Sequence, residues 1–162
     1  MSRVILIVLA FQFAVVACSR KSEPKVEASV QTVNEYPPIT LRLAEGKDVA
    51  AKGLRGNNMF VLFQPDCDHC QEEAIQIQQR LQEFKDYTLY FISSAPMENI
   101  TAFARNFDLD NVEKVKFAWT STEGVLTYYG PIQTPSIYIY SDGRLKQSFN
   151  GQTSVDKILE AL

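Results

Sequence analysis

The chain has 162 residues, of which 46% are hydrophobic and 22% are charged, and its formal net charge is −3. This length is enough for one globular domain with a sizeable core, and the composition is that of an ordinary soluble domain. The mildly acidic balance comes with no basic stripe, which argues against nucleic acid as a partner.

The first 17 residues have the pattern of a signal peptide. Arg3 gives a positive start, and residues 4–17 form an apolar run that is short for a bilayer span but has the size of a signal-peptide core. The run ends in Val15-Val16-Ala17-Cys18, which resembles the bacterial lipobox. This resemblance implies that residues 1–17 are removed and that Cys18 is lipidated. A core helix or a plain secretory signal with an incidental cysteine is the alternative.

Residues 18–35 are polar and charged, as expected of a tether, and a flexible segment of this length spans about 25 Å. Tyr36-Pro37-Pro38 marks the entry to the folded part, so we predict one domain at residues 36–162. Acyl chains on Cys18 would hold this domain at a membrane surface. We therefore expect a protein of the cell envelope that is anchored to a membrane and faces the periplasm.

From residue 39 onwards the hydrophobic pattern alternates between strands and helices. Continuous or alternating apolar runs predict strands at residues 39–43, 58–63, 87–92, 115–119, 136–140 and 145–149. Apolar residues at helical spacing predict helices at 67–85, 97–107 and 123–129, and a last helix around 156–159 with Thr153 or Ser154 as its N-cap. Asp142-Gly143 predicts a hairpin between the last two strands. This order implies an α/β fold with a central mixed β-sheet flanked by helices, parallel in the middle and antiparallel at one edge.

Cys67 and Cys70 form a C-x-x-C pair directly after a predicted buried strand, on the first turn of the next helix. At that end of a helix, the dipole and the unpaired backbone N–H groups stabilise a thiolate, which is the attacking species in disulfide exchange. Because Cys67 lies nearer the end, we predict that it is the nucleophile and that Cys70 resolves the mixed disulfide. No dissociable cofactor is implied, since the two sulfurs hold the electrons.

The segment FVLFQPDCDHCQEEA (residues 60–74) resembles the active-site strand and helix of the thioredoxin superfamily. More narrowly, it is similar to membrane-anchored bacterial thiol–disulfide oxidoreductases of the redoxin and cytochrome c maturation kind. Thr134-Pro135 matches the threonine and cis-proline of this family, which implies that both residues face the cysteines and bind an extended client segment. The stretch from residue 92 to Pro135 implies an extra α/β unit between the C-x-x-C helix and the cis-proline.

The resemblance also gives Glu73 a role. It lies three residues after Cys70, where the anchored reductant families have a functional glutamate, which implies that Glu73 shuttles the proton of Cys70. Val61 stands where thioredoxin has a buried aspartate, so Glu73 is expected to be the nearby carboxylate base. The alternative is an ordinary solvated glutamate on the helix surface.

His69, the only histidine, lies between the two cysteines. Its position resembles that in strongly oxidising family members, where the histidine stabilises the reduced thiolate. Asp66 and Asp68 flank Cys67 with negative charge and disfavour a second anion. The two effects oppose each other, and the direction of electron flow stays open at this point.

Several other kinds of C-x-x-C site are less favoured. A closed zinc site needs four ligands, and no second ligand pair accompanies Cys67 and Cys70. A copper-delivery protein of similar fold would have wider cysteine spacing and a distant histidine. A redoxin-type peroxidase would have a threonine three residues before its reactive cysteine, where this chain has Gln64. The main alternative is a non-enzymatic binding module that keeps the pair as a static disulfide.

Together, these features predict a monomeric, lipid-anchored thiol–disulfide oxidoreductase outside the cytoplasm. Its partners would be client proteins with cysteines or disulfides. Family resemblance implies work as a reductant that is supplied by a membrane electron donor, and oxidation of clients is the alternative direction.

Overall fold

The computed structural model describes residues 34–162. The predicted signal peptide at 1–17, the lipidated Cys18 and nearly all of the tether at 18–35 lie outside the described residues, so these features stay predictions. Glu35 already pairs with Arg144 in an isolated bridge, one residue before the predicted start of the domain. Within residues 34–162, no helix combines the length and the apolar character needed to cross a membrane.

Seven strands form one mixed sheet in the order β2-β1-β5-β4-β3-β6-β7. The strands are β1 (Thr40–Leu43), β2 (Asp48–Ala50), β3 (Asn58–Leu62), β4 (Thr88–Ser93), β5 (Val115–Trp119), β6 (Ser136–Ser141) and β7 (Arg144–Asn150). The helices are α1 (Asp68–Gln79), α2 (Met97–Asn106), α3 (Thr122–Tyr129) and α4 (Val155–Glu160), with 3-10 turns at Ala51–Gly53 and Leu81–Phe84.

The sheet has the predicted mixed character. Strands β3, β4 and β5 are parallel and central, and the β6–β7 hairpin adds to β3 in antiparallel fashion. The opposite edge is also antiparallel, because β1 pairs with both β5 and β2. Strand β2 was not predicted, since its three residues have no apolar run and lie on the edge of the sheet.

The helices cover both faces of the sheet. On one face, α1, α2 and α4 pack through residues such as Ile77, Ile100 and Ile158. On the other face, α3 and the segment before β1 pack through Val125 and Tyr36. The order α2-β5-α3 between β4 and Pro135 supplies the predicted extra α/β unit.

The helix predicted at residues 67–85 ends earlier than expected. Arg80 leaves the helical region, with φ −123° and ψ 24°, and a separate 3-10 turn follows at Leu81–Phe84. Phe84 is still buried, so the predicted apolar face is preserved after the break. The start of the helix is as predicted: α1 follows the carboxyl end of the central strand β3, with Cys67 as its N-cap and Cys70 in its first turn.

Candidate active site

The two cysteines lie where β3 ends and α1 begins. Cys67 is the N-cap residue of α1, with extended backbone angles (φ −92°, ψ 114°), and its Sγ accepts the Cys70 backbone N–H at 3.3 Å. Both cysteines are free, and their sulfur atoms are 2.6 Å apart. The C-x-x-C pair therefore occupies the helix N-terminus that its spacing predicts.

The environments of the two sulfurs differ. Cys67 is partly exposed, whereas Cys70 is buried, with 2% of its surface accessible. Burial away from water raises the pKa of the Cys70 thiol to about 12. Cys70 therefore stays protonated at neutral pH, and of the two sulfurs only that of Cys67 belongs to a partly exposed residue.

The loop before β6 faces this sulfur. The Thr134–Pro135 peptide bond is cis, as the resemblance implies. Cys67 Sγ donates to the Thr134 carbonyl oxygen at 3.6 Å, and the Thr134 hydroxyl donates to Cys67 Sγ at 3.9 Å. The structure thus brings Thr134, and with it the adjoining Pro135, to the Cys67–Cys70 pair, although Cys67 and Thr134 are 67 residues apart in the chain.

Glu73 lies one turn after Cys70 and is 1% exposed. Its Oε2 accepts the Thr153 backbone N–H at 3.2 Å, whereas Oε1 has no hydrogen-bond partner among residues 34–162. Burial raises the pKa of this carboxyl to about 7, and the hydrogen bond from Thr153 partly opposes that rise. The alternative of a solvated surface glutamate is therefore wrong, and the position suits a group that gains and loses a proton near neutral pH.

His69 lies on the outside of α1. Its side chain is 66% exposed, and Nδ1 is 3.8 Å from Glu72 Oε2. An ion pair this exposed is weakened by water and salt. The structure therefore places His69 next to Glu72 on the helix surface, and its predicted action on the thiolate stays a prediction.

The connection between β7 and α4 also belongs to the site and was missed by the sequence analysis. In this connecting segment (residues 150–153), Gln152 Nε2 donates to Glu72 Oε2 at 2.6 Å and Thr153 donates to Glu73. Gly151 N–H donates to the Pro135 carbonyl oxygen at 3.0 Å. The dipeptide Asn150-Gly151 is a turn signal, which was the available sequence clue.

Residues 34–162 contain no group of three or more His, Cys, Asp or Glu side chains that could hold a metal ion. The groups that the described site brings together are the two thiols, the buried Glu73 carboxyl and the partly buried Thr134 beside Cys67, with Pro135 buried behind it.

Residues 32–147 of the chain match the AhpC/TSA family. The chain belongs to the AhpC/TSA family. Membership of this family, together with the free cysteine pair, makes the chain a thiol-dependent oxidoreductase. No curated protein matches the chain.

Solved structures with the same fold include a secreted disulfide oxidoreductase of Mycobacterium tuberculosis that is homologous to Escherichia coli DsbE. It is 17% identical with a TM-score of 0.63, and the alignment covers 76% of this chain and 93% of that one. StoA of Bacillus subtilis is 14% identical with a TM-score of 0.60, covering 77% and 96% of the two chains. ScoI of Arabidopsis thaliana, solved with copper bound, is 18% identical with a TM-score of 0.61, covering 77% and 93%. These similarities confirm the predicted thioredoxin-like fold.

Proposed function

We propose that this family member is a lipid-anchored thiol–disulfide oxidoreductase that reduces disulfides of client proteins outside the cytoplasm. The observation that carries the proposal is the position of the partly exposed Cys67 sulfur, next to the buried Cys70 and 3.6 Å from the Thr134 carbonyl oxygen. This arrangement leaves one thiol open to a client and keeps the other in reserve. The Thr134 loop gives an extended client segment a backbone to bind beside Cys67.

In the first step, the Cys67 thiolate attacks one sulfur of a client disulfide. The client S–S bond breaks, a mixed disulfide forms between Cys67 and the client, and the second client sulfur leaves as a thiolate that takes up a proton. In the second step, Cys70 attacks the Cys67 sulfur, the mixed disulfide breaks, and the client leaves fully reduced. The client has gained two electrons, and the Cys67–Cys70 disulfide must then be reduced again by a membrane electron donor.

The second step requires Cys70 to lose its proton. Because its thiol pKa is raised to about 12, water at neutral pH rarely removes that proton. Glu73, three residues further along α1 and with its pKa raised to about 7, is the buried carboxyl of the same helix and takes up that proton in this proposal. We therefore assign Glu73 the role of base for Cys70.

The burial of Cys70 supports the reducing direction. Strong oxidants in this chemistry are those whose reduced form is stabilised. Here desolvation disfavours the Cys70 thiolate, so the reduced pair gains little stability from ionisation of that sulfur. Burial of Cys70 therefore favours electron donation from that sulfur, and the reduction potential of the whole pair decides the direction. Gln64 occupies the position of the peroxidase threonine, which favours disulfide exchange over peroxide reduction.

The predicted signal sequence and the likeness to a secreted disulfide oxidoreductase support the location outside the cytoplasm. Labelling with radioactive palmitate in a bacterial host tests the anchor. The full chain should incorporate the label and fractionate with membranes, and Cys18→Ala should do neither. An unlabelled wild-type protein would contradict the lipid anchor without affecting the redox proposal.

The reduction potential of the full chain, measured in equilibrium with glutathione, tests the redox direction. A value near that of thioredoxin, about −270 mV, is expected for a reductant, whereas a value near −120 mV would identify an oxidant. A pair that resists reduction by dithiols would instead be a static disulfide and would favour the binding-module alternative. Cys70→Ser should accumulate mixed disulfides with clients through Cys67, and the double variant lacking both thiols should accumulate none.

A further inference from the structure

The connecting segment joins the two halves of the site. Gln152 and Thr153 contact the C-x-x-C helix through Glu72 and Glu73. The first two residues, Asn150 and Gly151, instead contact the loop that presents Thr134. Four consecutive residues therefore link the helix that carries the cysteines to the loop that faces them.

The contacts to the loop lie on both sides of Thr134. Asn150 Oδ1 accepts the backbone N–H of Gln133, the residue before Thr134, at 2.7 Å. Gly151 N–H donates to the carbonyl oxygen of Pro135, the residue after it, at 3.0 Å. These two hydrogen bonds restrain the backbone on either side of the carbonyl group that faces Cys67.

Ser136 adds to the same arrangement. Its hydroxyl is 3.0 Å from Asn150 Oδ1 and also lies within hydrogen-bond distance of the Gln133 carbonyl oxygen, and its single proton can serve either acceptor. Asn150 and Ser136 are register partners at the end of the β6–β7 ladder. The side-chain oxygen of Asn150 thus lies directly beside the start of the Thr134 loop.

We propose that Asn150 is a positioning residue for the reduction of polypeptide disulfides. Its amide oxygen holds Gln133, and through it Thr134, so that the loop backbone meets a client segment in the correct orientation while Cys67 attacks. This role rests on the proposed function. Asn150 is exposed and is not part of either hydrophobic core, so its side chain acts through this polar contact.

The role predicts a difference between substrates. A peptide disulfide presents a backbone that can bind the Thr134 loop, whereas bis(2-hydroxyethyl) disulfide has none. Loss of the Asn150 oxygen should therefore slow exchange with the peptide and spare exchange with the small disulfide. Asn150→Asp keeps an oxygen acceptor at the same place and should rescue the peptide reaction.

The experiment measures second-order rate constants for the pre-reduced full chain with a disulfide-linked peptide dimer and with bis(2-hydroxyethyl) disulfide. For Asn150→Ala we expect about a tenfold loss with the peptide and less than about a twofold loss with the small disulfide, the size of one lost hydrogen bond. Asn150→Asp should stay within about threefold of wild type with both. Ser148→Ala, on the same face of β7 and with no side-chain hydrogen bond among the described residues, is the matched control and should behave as wild type.

Equal losses with both disulfides, no loss with the peptide, or no rescue by Asn150→Asp would each overturn the proposal. Asn150→Ser, whose side chain is one bond shorter, provides a second truncation if Asn150→Ala fails to fold. Failure of the proposed function would look different, because the wild-type chain would then reduce neither disulfide.

Discussion

Two segments meet at the sulfur of Cys67. One is held by contacts between residues that are close in sequence, and the other by contacts between residues that are distant in sequence. In the cysteine turn (residues 64–71), the partners are close in sequence: Cys70 N–H donates to the Cys67 carbonyl oxygen at 3.0 Å, and Gln71 Nε2 donates to the Pro65 carbonyl oxygen at 3.1 Å. The proline loop (residues 130–136) is held instead by Asn150 and Gly151, which lie at the end of β7. The backbone that carries the two sulfurs is therefore held mainly by nearby residues, whereas the position of the Thr134 loop depends on contacts that are distant in sequence.

Mutations in the two segments should therefore have different effects on exchange. A change in the cysteine turn alters the reacting groups and should affect every disulfide substrate to the same degree. A change that reaches the proline loop leaves the sulfurs in place and should affect large substrates more than small ones. If mutations in both segments slowed exchange with large and small disulfides to the same degree, this difference between the segments would be contradicted.

The largest effect is expected from removal of the Cys67 thiol. Cys67→Ser should lower the rate of exchange at least about a thousandfold with peptide and small disulfides alike, because the thiolate is the attacking group. Stopped-flow measurement with both substrates checks this. Thr134→Ala is the counterpart in the proline loop, and it keeps the backbone carbonyl that contacts Cys67. A thousandfold loss in Thr134→Ala would contradict the division of roles.

The second effect concerns Glu73, which links the cysteine helix to the connecting segment. Its pKa is about 7 in the folded protein against an ordinary value of 4.5, so the folded state holds the proton more tightly than the unfolded chain. Stability from this group is complete below about pH 4.5 and is lost as the pH rises through 7. Glu73→Gln does not titrate, so its free energy of unfolding relative to wild type should rise by about 3 kcal/mol between pH 4 and pH 8.

Urea unfolding of both proteins at several pH values measures this difference. Glu72→Gln is the matched control, because Glu72 is the neighbouring glutamate and is exposed. Its pH dependence should follow that of wild type to within about 0.5 kcal/mol. If Glu73→Gln and wild type show parallel pH profiles, the buried carboxyl does not titrate as described.

The same contrast of range explains what the sequence could predict. Cys67, Cys70, Thr134 and Pro135 were identified because each belongs to a short motif. Glu73 was identified by its spacing from Cys70, but its side chain accepts a hydrogen bond from Thr153, which is 80 residues away. No periodicity in a single segment reports such a contact.

Helix α4 gives a second example. Thr153 or Ser154 was predicted as its N-cap, and Ser154 does occupy that position, but its side chain makes no capping hydrogen bond among the described residues. Instead, Gln76 Oε1 on α1 accepts the Val155 backbone N–H at 3.4 Å. The predicted cap position is therefore confirmed, but the free Val155 N–H at the start of the helix is met by a side chain of another helix, and this partner is distant in sequence.

A third, smaller effect tests the connecting segment through Gly151, which has φ +93°. Gly151→Ala should lower the free energy of unfolding by about 1–2 kcal/mol, because alanine is strained at positive φ. The added Cβ would also lie 3.0 Å from Gln133 Oε1, the end of a flexible side chain in the proline loop. We therefore expect slower exchange with the peptide disulfide as well.

Gly46→Ala separates these two consequences. Gly46 has φ +88°, and a Cβ there meets no described atom within 4 Å. This variant should lose similar stability in urea unfolding yet keep the wild-type rate with the peptide. Equal slowing in both glycine variants would show that loss of stability alone, rather than the position of the proline loop, limits exchange.

The smallest effect is expected at His69, in the cysteine turn itself. Because its imidazole is 66% exposed and lies beside Glu72, removing it should cost little. His69→Ala should shift the reduction potential by less than about 20 mV, the equivalent of an exposed ion pair. Equilibration with glutathione at pH 6 and pH 8 measures the shift, and Glu72→Gln serves as a control for loss of the pair. A shift several times larger in His69→Ala alone would mean that the imidazole acts directly on the Cys67 sulfur, as its position between the cysteines predicts. In that case the cysteine turn would have to rearrange during the reaction, because His69 lies beside Glu72 on the helix surface in this structure.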